Sequence, residues 1–265
     1  MPAKKVSADA DVRHTVPEVR SVGAPDIIDA LMKGIADFNA KPTHLVFLCI
    51  IYPIMTLIIA RAYSGHEFLP LVFPIIAGST LLGPLAACGM YELSRRREQG
   101  LEVSWTNCFD VLKSPAIFAI ATLGVVLGAI FVVWLAAAQW IYSLYFGETV
   151  PYSITDFIAL ALTSTRGWSL IVVGCGVGFI FSVLVLTISV VSFPLILDRH
   201  VDPTTAVLTS LKAVIVNPKS MAVWGIIVAG SLLAGAIPLF VGLAIVMPVL
   251  GHATWHLYRK IVVFE

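Results

Sequence analysis

The stretch SMAVWGIIVAGSLLAGAIPLFVGLAIVMPVLGHATWHL, residues 220–257, contains no carboxylate, lysine or arginine across 38 residues. At ~1.5 Å per residue a single helix through it would run roughly 57 Å, almost twice the ~30 Å hydrocarbon core of a bilayer. Gly235 and Pro238 sit at its middle. Proline lacks the amide hydrogen that a helix interior needs and clashes with the preceding turn. The stretch therefore predicts two short helices, about Ser220–Ala236 and Leu239–Leu257, joined by a tight turn.

Four further runs free of charge lie upstream: Thr43–Ala60, Phe68–Tyr91, Ser114–Phe146 and Gly167–Leu197. Each is long enough to cross a bilayer once, and the last two must tilt or project beyond the hydrocarbon. With the divided final run, the expected fold is all-α with six transmembrane helices. The basic residues orient it. If the N-terminus is cytoplasmic, fifteen of the seventeen lysines and arginines fall on the cytoplasmic side, and only Arg61 and Arg166 fall outside. That bias satisfies the positive-inside rule and places both termini on the cytoplasmic side.

The spans follow a repeated pattern. Aligned on Pro42, Pro115 and Pro218, apolar residues recur ten positions earlier (Met32, Trp105, Leu208) and seven earlier (Ile35, Cys108, Leu211). They recur again four earlier, at Phe38, Val111 and Val214. Steps of three and four residues mark one face of a helix, so an interfacial amphipathic helix is expected before each pair of spans. The first should start at Pro25 and carry Ile27, Ile28, Leu31, Met32, Ile35 and Phe38 on its apolar face, with Asp26, Asp29, Lys33 and Asp37 elsewhere. The others are expected near Val103–Leu112 and Pro203–Val216, the last capped by Asp202. Exits match as well. Pro84 precedes Tyr91, Leu93 and Arg95 at the offsets by which Pro248 precedes Trp255, Leu257 and Arg259, while Pro194 reaches Arg199 sooner. The domain organisation is a flexible tail, residues 1–24, then one membrane domain, 25–265, with repeat units of about 25–97, 98–199 and 200–262. A longer outer loop in the middle unit, Gly147–Arg166, leaves room for a short helix over Ser153–Thr165.

Composition agrees. The chain is 58% hydrophobic and 12% charged, with mean hydropathy +0.93; soluble domains average ~25% charged residues. A net charge of +1 gives no bulk attraction to nucleic acid. The four cysteines, Cys49, Cys88, Cys108 and Cys175, form no CxxC pair, which argues against a disulfide framework or a zinc site. Small-residue spacings, Gly124-xxx-Gly128, Gly174-xxx-Gly178 and Gly83-xxx-Ala87, suit close helix packing within the chain.

Chemistry is sparse. Ion-driven transporters carry ionisable residues within the bilayer, and these spans hold none. Glu92 sits at a span end, one turn from Arg95 and Arg96, as an interfacial ion pair. Gln139 is the most polar residue deep in a long run. His252 and His256 are four apart on one helical face, and with His44 are the weak candidates for a metal site. Position 253 is alanine, so HExxH is absent. No phosphate-binding loop, dinucleotide fingerprint or nucleophile elbow occurs. Arg95, Arg96, Arg97, Trp255, Arg259 and Lys260 read as interface and lipid-headgroup anchors. No catalytic residue, cofactor or nucleic-acid partner is expected.

The stretch FPLILDRHVDPTTAVLTSLKAVIVNPKSMAVWG, Phe193–Gly225, and the ending MPVLGHATWHLYRKIV, Met247–Val262, resemble a proteobacterial family of integral membrane proteins that carries a domain-of-unknown-function label. The resemblance implies an inner-membrane helical protein, some of whose relatives bear cytochrome-oxidase-like labels. It supplies no catalytic residues, and this chain lacks the mid-membrane histidines of an oxidase. The expected function is that of a non-catalytic accessory or assembly subunit. Its partners would be membrane lipids and other integral membrane proteins such as a respiratory terminal oxidase. The alternative is a transporter or channel for a hydrophobic or lipid-like substrate, whose path would be lined by Gln139 and Ser182.

Overall fold

A computed structural model describes residues 17–43, 69–147 and 153–263, with Phe47, Cys49, Ile51, Tyr52, Ile54, Met55, Leu57 and Ile58. The protein is mostly helical. A two-residue strand β1 (Glu18–Val19) leads into helix α1 (Ala24–Ala40). The described residues between positions 47 and 58 are helical, and the remainder of the span expected over Thr43–Ala60, His44 included, lies outside the described residues.

Four helical rods are long and apolar enough to cross a membrane: Leu69–Glu98, Ile117–Phe146, Thr165–Arg199 and Pro218–Ala236. The first joins α2 (Leu69–Ser79), a 3-10 turn (Thr80–Leu82), α3 (Gly83–Ala86) and α4 (Cys88–Glu98). Helix α5 (Ile117–Phe146) is continuous. The third rod joins α7 (Thr165–Ser189) and α8 (Ser192–Arg199), and the fourth is α10 (Pro218–Ala236). Pro84 and Pro194 lie beside the two interruptions, where a missing amide hydrogen frees a carbonyl of the preceding turn.

The final run divides as its sequence predicts. Residues 237–242 turn between α10 and α11 (Leu243–Ile261). Gly235 and Gly242 touch there so closely that a Cβ on Gly242 would lie 2.8 Å from the Gly235 backbone. Leu239 and Phe240 take left-handed φ values of 50° and 65°. Helix α11 is as long as α10, but its second half carries His252, His256, Arg259 and Lys260, and it is not among the four apolar rods. A six-span repeat is thus not established by these helices. The first expected span is only partly described, and Pro248 sits inside an unbroken helix, unlike Pro84 and Pro194.

The three segments before Pro42, Pro115 and Pro218 take different forms. Helix α1 has Pro25 in its first turn, and the Asp26 carboxylate accepts from the Gly23 amide at 3.0 Å. The second segment is a 3-10 helix (Trp105–Lys113) rather than an α-helix, with Asn107 Oδ1 accepting from the Ser104 amide at 2.7 Å. The third is α9 (Pro203–Val216), where Asp202 accepts from the Thr205 amide at 3.0 Å as expected for its N-cap. Each leaves large apolar side chains outward. Met32, Trp105 and Leu208, the aligned residues ten before each proline, are 60%, 54% and 46% exposed. The short outer helix is present as α6 (Ile154–Thr163), capped by Ser153.

The dense core lies at the charged end of the bundle. Tyr91, Phe193, Trp224, Trp255, Leu257 and Tyr258 are buried there almost completely. By contrast, the Thr165–Arg199 rod buries only 6% of its most apolar window inside the chain. Water drives apolar groups together where it is the solvent, whereas lipid tails exert no such force between helices. Among the small-residue motifs, Gly124 meets Leu85 and Gly178 meets Trp134, while Gly83, Gly128 and Gly174 face open space.

Candidate functional site

The polar residues singled out from the sequence converge on this charged end. Helix α1 lies antiparallel to α11, and the reason is local. Ile27, Ala30, Gly34 and Asp37 form its buried stripe. At Gly34 the two backbones come so close that a Cβ would stand 2.7 Å from Ala253. Gly251 plays the same part toward α4, where its Cβ would meet Met90 at 2.8 Å. Small residues on both sides of His252 thus bring α1 and α4 against it.

Asp37 is the centre. Its Oδ2 accepts from Ser94 Oγ at 2.5 Å and lies 2.8 Å from His256 Nε2. Its Oδ1 accepts from Arg97 at 2.8 Å, and the same guanidinium nitrogen donates to the Ala36 carbonyl at 2.7 Å. Burial opposes ionisation of Asp37, but hydrogen bonds from His256 and Ser94 outweigh it and hold the carboxyl below its ordinary range. Expectation placed Asp37 off the apolar face of an interfacial helix and assigned no face of α1 to packing within the protein. The structure puts it on the face that packs within the protein, because the helix turns small residues inward and Ile28, Met32 and Ile35 outward.

His252 Nδ1 lies 2.8 Å from Ser94 Oγ. A carboxylate only accepts, so the Ser94 hydroxyl gives its proton to Asp37 and receives one from His252 Nδ1–H. That order, carboxylate–serine–histidine, differs from a Ser–His–Asp triad, in which the imidazole accepts the serine proton. Ser94 is also fully buried. His252 Nε2 is buried and makes no hydrogen bond among the described residues. His256 and His252 therefore share one carboxylate instead of facing each other. No group of three or more His, Cys, Asp or Glu among the described residues is arranged to hold a metal.

Each expected anchor is engaged within the protein. Arg95 forks onto buried Glu92 at 2.8 and 2.9 Å, the ion pair the sequence indicated. Arg96 reaches the Glu102 carbonyl at 3.3 Å, and Arg259 binds Glu98 and Asp198 at 3.1 and 3.3 Å. Lys260 lies 2.9 Å from Asp29 and 3.3 Å from Asp26. The Lys260 and Lys33 ammonium groups pull Asp29 down to about 2, and the Gly23 amide lowers Asp26. Trp255 corrects its expected role. It is 1% exposed and donates Nε1 to Glu98 at 3.0 Å, so it offers no surface to a headgroup.

Residues 17–24 also differ from a flexible tail. Strand β1 pairs antiparallel with β2 (Val262–Val263), and Arg20 binds backbone carbonyl groups of Lys260 and Ile261. Asn217 accepts from the Val22 amide at 2.7 Å and donates to the Arg20 carbonyl at 3.1 Å. Sequence reasoning missed Asp37, Ser94, Asp198 and Glu98. One signal was available: acids at Asp26, Asp29 and Asp37 run in helical steps opposite to bases at Lys260, His256 and His252.

Gln139 and Ser182 do not enter this site. Both are exposed, and Ser182 bonds its own helix at the Gly178 carbonyl, 2.9 Å away.

A fold of apolar rods capped by a charged core accords with what sequence comparison finds. Residues 72–198 match the model of a family described as predicted integral membrane protein (DUF2189). The matched segment is just under half of the chain and runs from α2 through most of α8. Of the stretches that carried the resemblance, it includes only Phe193–Asp198. The family is one of unknown function. No curated protein and no solved structure matches the chain.

Proposed function

We propose that this protein is a six-span bundle of a bacterial inner membrane, with both termini cytoplasmic, acting as a non-catalytic accessory or assembly subunit of a larger membrane complex. The observation that carries this reading is the contrast between the two parts of the fold. The acids and bases of the charged end are spent on one another, whereas only 6% of the most apolar window of the Thr165–Arg199 rod is buried within its own chain. A surface of that kind is available to lipid and to helices of other subunits. The outward apolar residues Met32, Trp105 and Leu208 would seat the three pre-proline segments in the headgroup region. The respiratory assignment, to a terminal oxidase, rests on the family resemblance alone.

The alternative is a transporter or channel for a hydrophobic or lipid-like substrate. It called for a path lined by Gln139 and Ser182, and the outward placement of both favours the subunit reading. Purification in mild detergent at native abundance, with mass spectrometry of co-purifying proteins and an optical spectrum, separates the two. Stable co-migration with a cytochrome complex is the expected result. A monodisperse species without protein partners would overturn it.

A further inference from the structure

At the end of the bundle away from the charges, α2, α5, α6 and α7 line a partly open cavity of about 340 Å³. This is within the range of small-molecule sites, ~300–1,000 Å³. Phe73 and Pro74 line it from α2, Trp134 and Ile141 from α5, Phe157 from α6 and Gly174 from α7. Its polar fittings are few and already used. Trp134 Nε1 donates to the Pro74 carbonyl at 2.8 Å. Trp134 is fixed from behind by Gly78, where a Cβ would stand 2.5 Å from the indole. Water needs two to four polar partners to occupy a site, and this lining offers few.

We infer that this cavity binds one hydrocarbon chain of an amphiphile, with α6 as its outer cover. Three of the four lining helices belong to rods apolar enough to cross a membrane, so the surroundings supply such chains. Packing explains the shape. Gly174 presents no side chain to the cavity, and a Cβ there would have no heavy atom within 4 Å. Trp134, which lines the cavity, also packs against Phe181 of α7, their rings 5.6 Å apart and tilted. The occupant gains by dispersion against these walls, since leaving lipid yields no hydrophobic free energy.

The inference is independent of the subunit reading, and its test reads the cavity directly. The protein is reconstituted in nanodiscs with a phosphatidylcholine carrying a mid-chain diazirine, photolysed and mapped by peptide mass spectrometry. A parallel sample receives a free diazirine fatty acid in unlabelled lipid. Adducts on buried Ile141 and Ala138 are expected. They should fall at least fivefold in Gly174→Leu, which fills the cavity, and stay unchanged in Gly128→Leu, a glycine with equal free space elsewhere. Ala161→Leu, from α6, gives a second filling variant if Gly174→Leu folds poorly. Labelling by the phospholipid assigns the chain to a bilayer lipid; labelling by the fatty acid alone assigns it to a single-chain ligand. The proposal is overturned if adducts are confined to outward residues such as Phe118 and Phe179, or if those on Ile141 survive both filling variants.

Discussion

Asp37 Oδ2 and His256 Nε2 lie 2.8 Å apart although 219 residues separate them in the chain. Through this contact the first helix of the protein is held by its last. The same carboxylate binds Ser94 and Arg97, so one side chain ties α1 to α4 and α11 together. Removing it should loosen three elements at once.

Asp37→Ala leaves Ser94 and His256 without their acceptor. We expect a loss of about 2–3 kcal/mol, below the ~3–5 of a fully buried pair because half-exposed Arg97 can turn to water. Thermal unfolding in detergent measures this, with Asp37→Asn, which keeps an acceptor, losing less. Equal stability of wild type and Asp37→Ala would show the network to be idle.

The pH dependence follows from the sign of the carboxylate shifts. Asp37 is lowered from 3.8 in the folded protein, and Asp29 is drawn to about 2. Depressed carboxyls contribute stability above their unfolded values and lose it as pH falls through the folded ones. The protection factor of α1 amides, the exchange rate taken relative to the intrinsic rate at each pH, should therefore fall as pH drops below about 4. Protection unchanged down to about pH 2 would show that these carboxylates do not hold the contact.

Gly34→Leu should force α1 off α11, since even a Cβ would stand 2.7 Å from the Ala253 backbone. Overpacking of this kind costs about 1–3 kcal/mol. A carbodiimide cross-link between Lys260 and Asp26 or Asp29, 3.3 and 2.9 Å apart, reports the contact. It should form in wild type and fade in the variant. Undiminished cross-linking would contradict the close approach.

Asp202→Ala removes the N-cap of α9, whose side chain accepts from the Thr205 amide. A loss of about 1 kcal/mol is expected, mostly recovered in Asp202→Ser. Thermal unfolding of the two variants in parallel decides it.

The six-span topology makes a labelling prediction. In a cysteine-free background, a membrane-impermeant maleimide added from the periplasm should label cysteines placed at Ser153 or Leu239. It should spare those at Gln99 or following Val262. Labelling after Val262 from that side would exclude the proposed orientation.

The sequence by itself determined the local elements, because they depend on neighbours along the chain. The run over 220–257 had to divide, and it turns at 237–242. Asp202 caps α9, Pro25 opens α1, and Glu92 meets Arg95 three residues on. Length and apolarity fixed the four long rods, since a bilayer accepts little else. Only the tertiary structure decided the polar site. Periodicity gave α1 an apolar face but could not say which side of the helix would meet α11. The answer lay with Gly34 and Ala30, small residues that permit close approach and carry Asp37 inward with them. Trp255 looked like a membrane anchor because tryptophan suits both an interface and a core, and its burial against Glu98 and Tyr258 settles which. The pairing of residues 18–20 with 261–263 was equally hidden. A two-residue strand has no pattern of its own and exists only where another chain segment completes its hydrogen bonds.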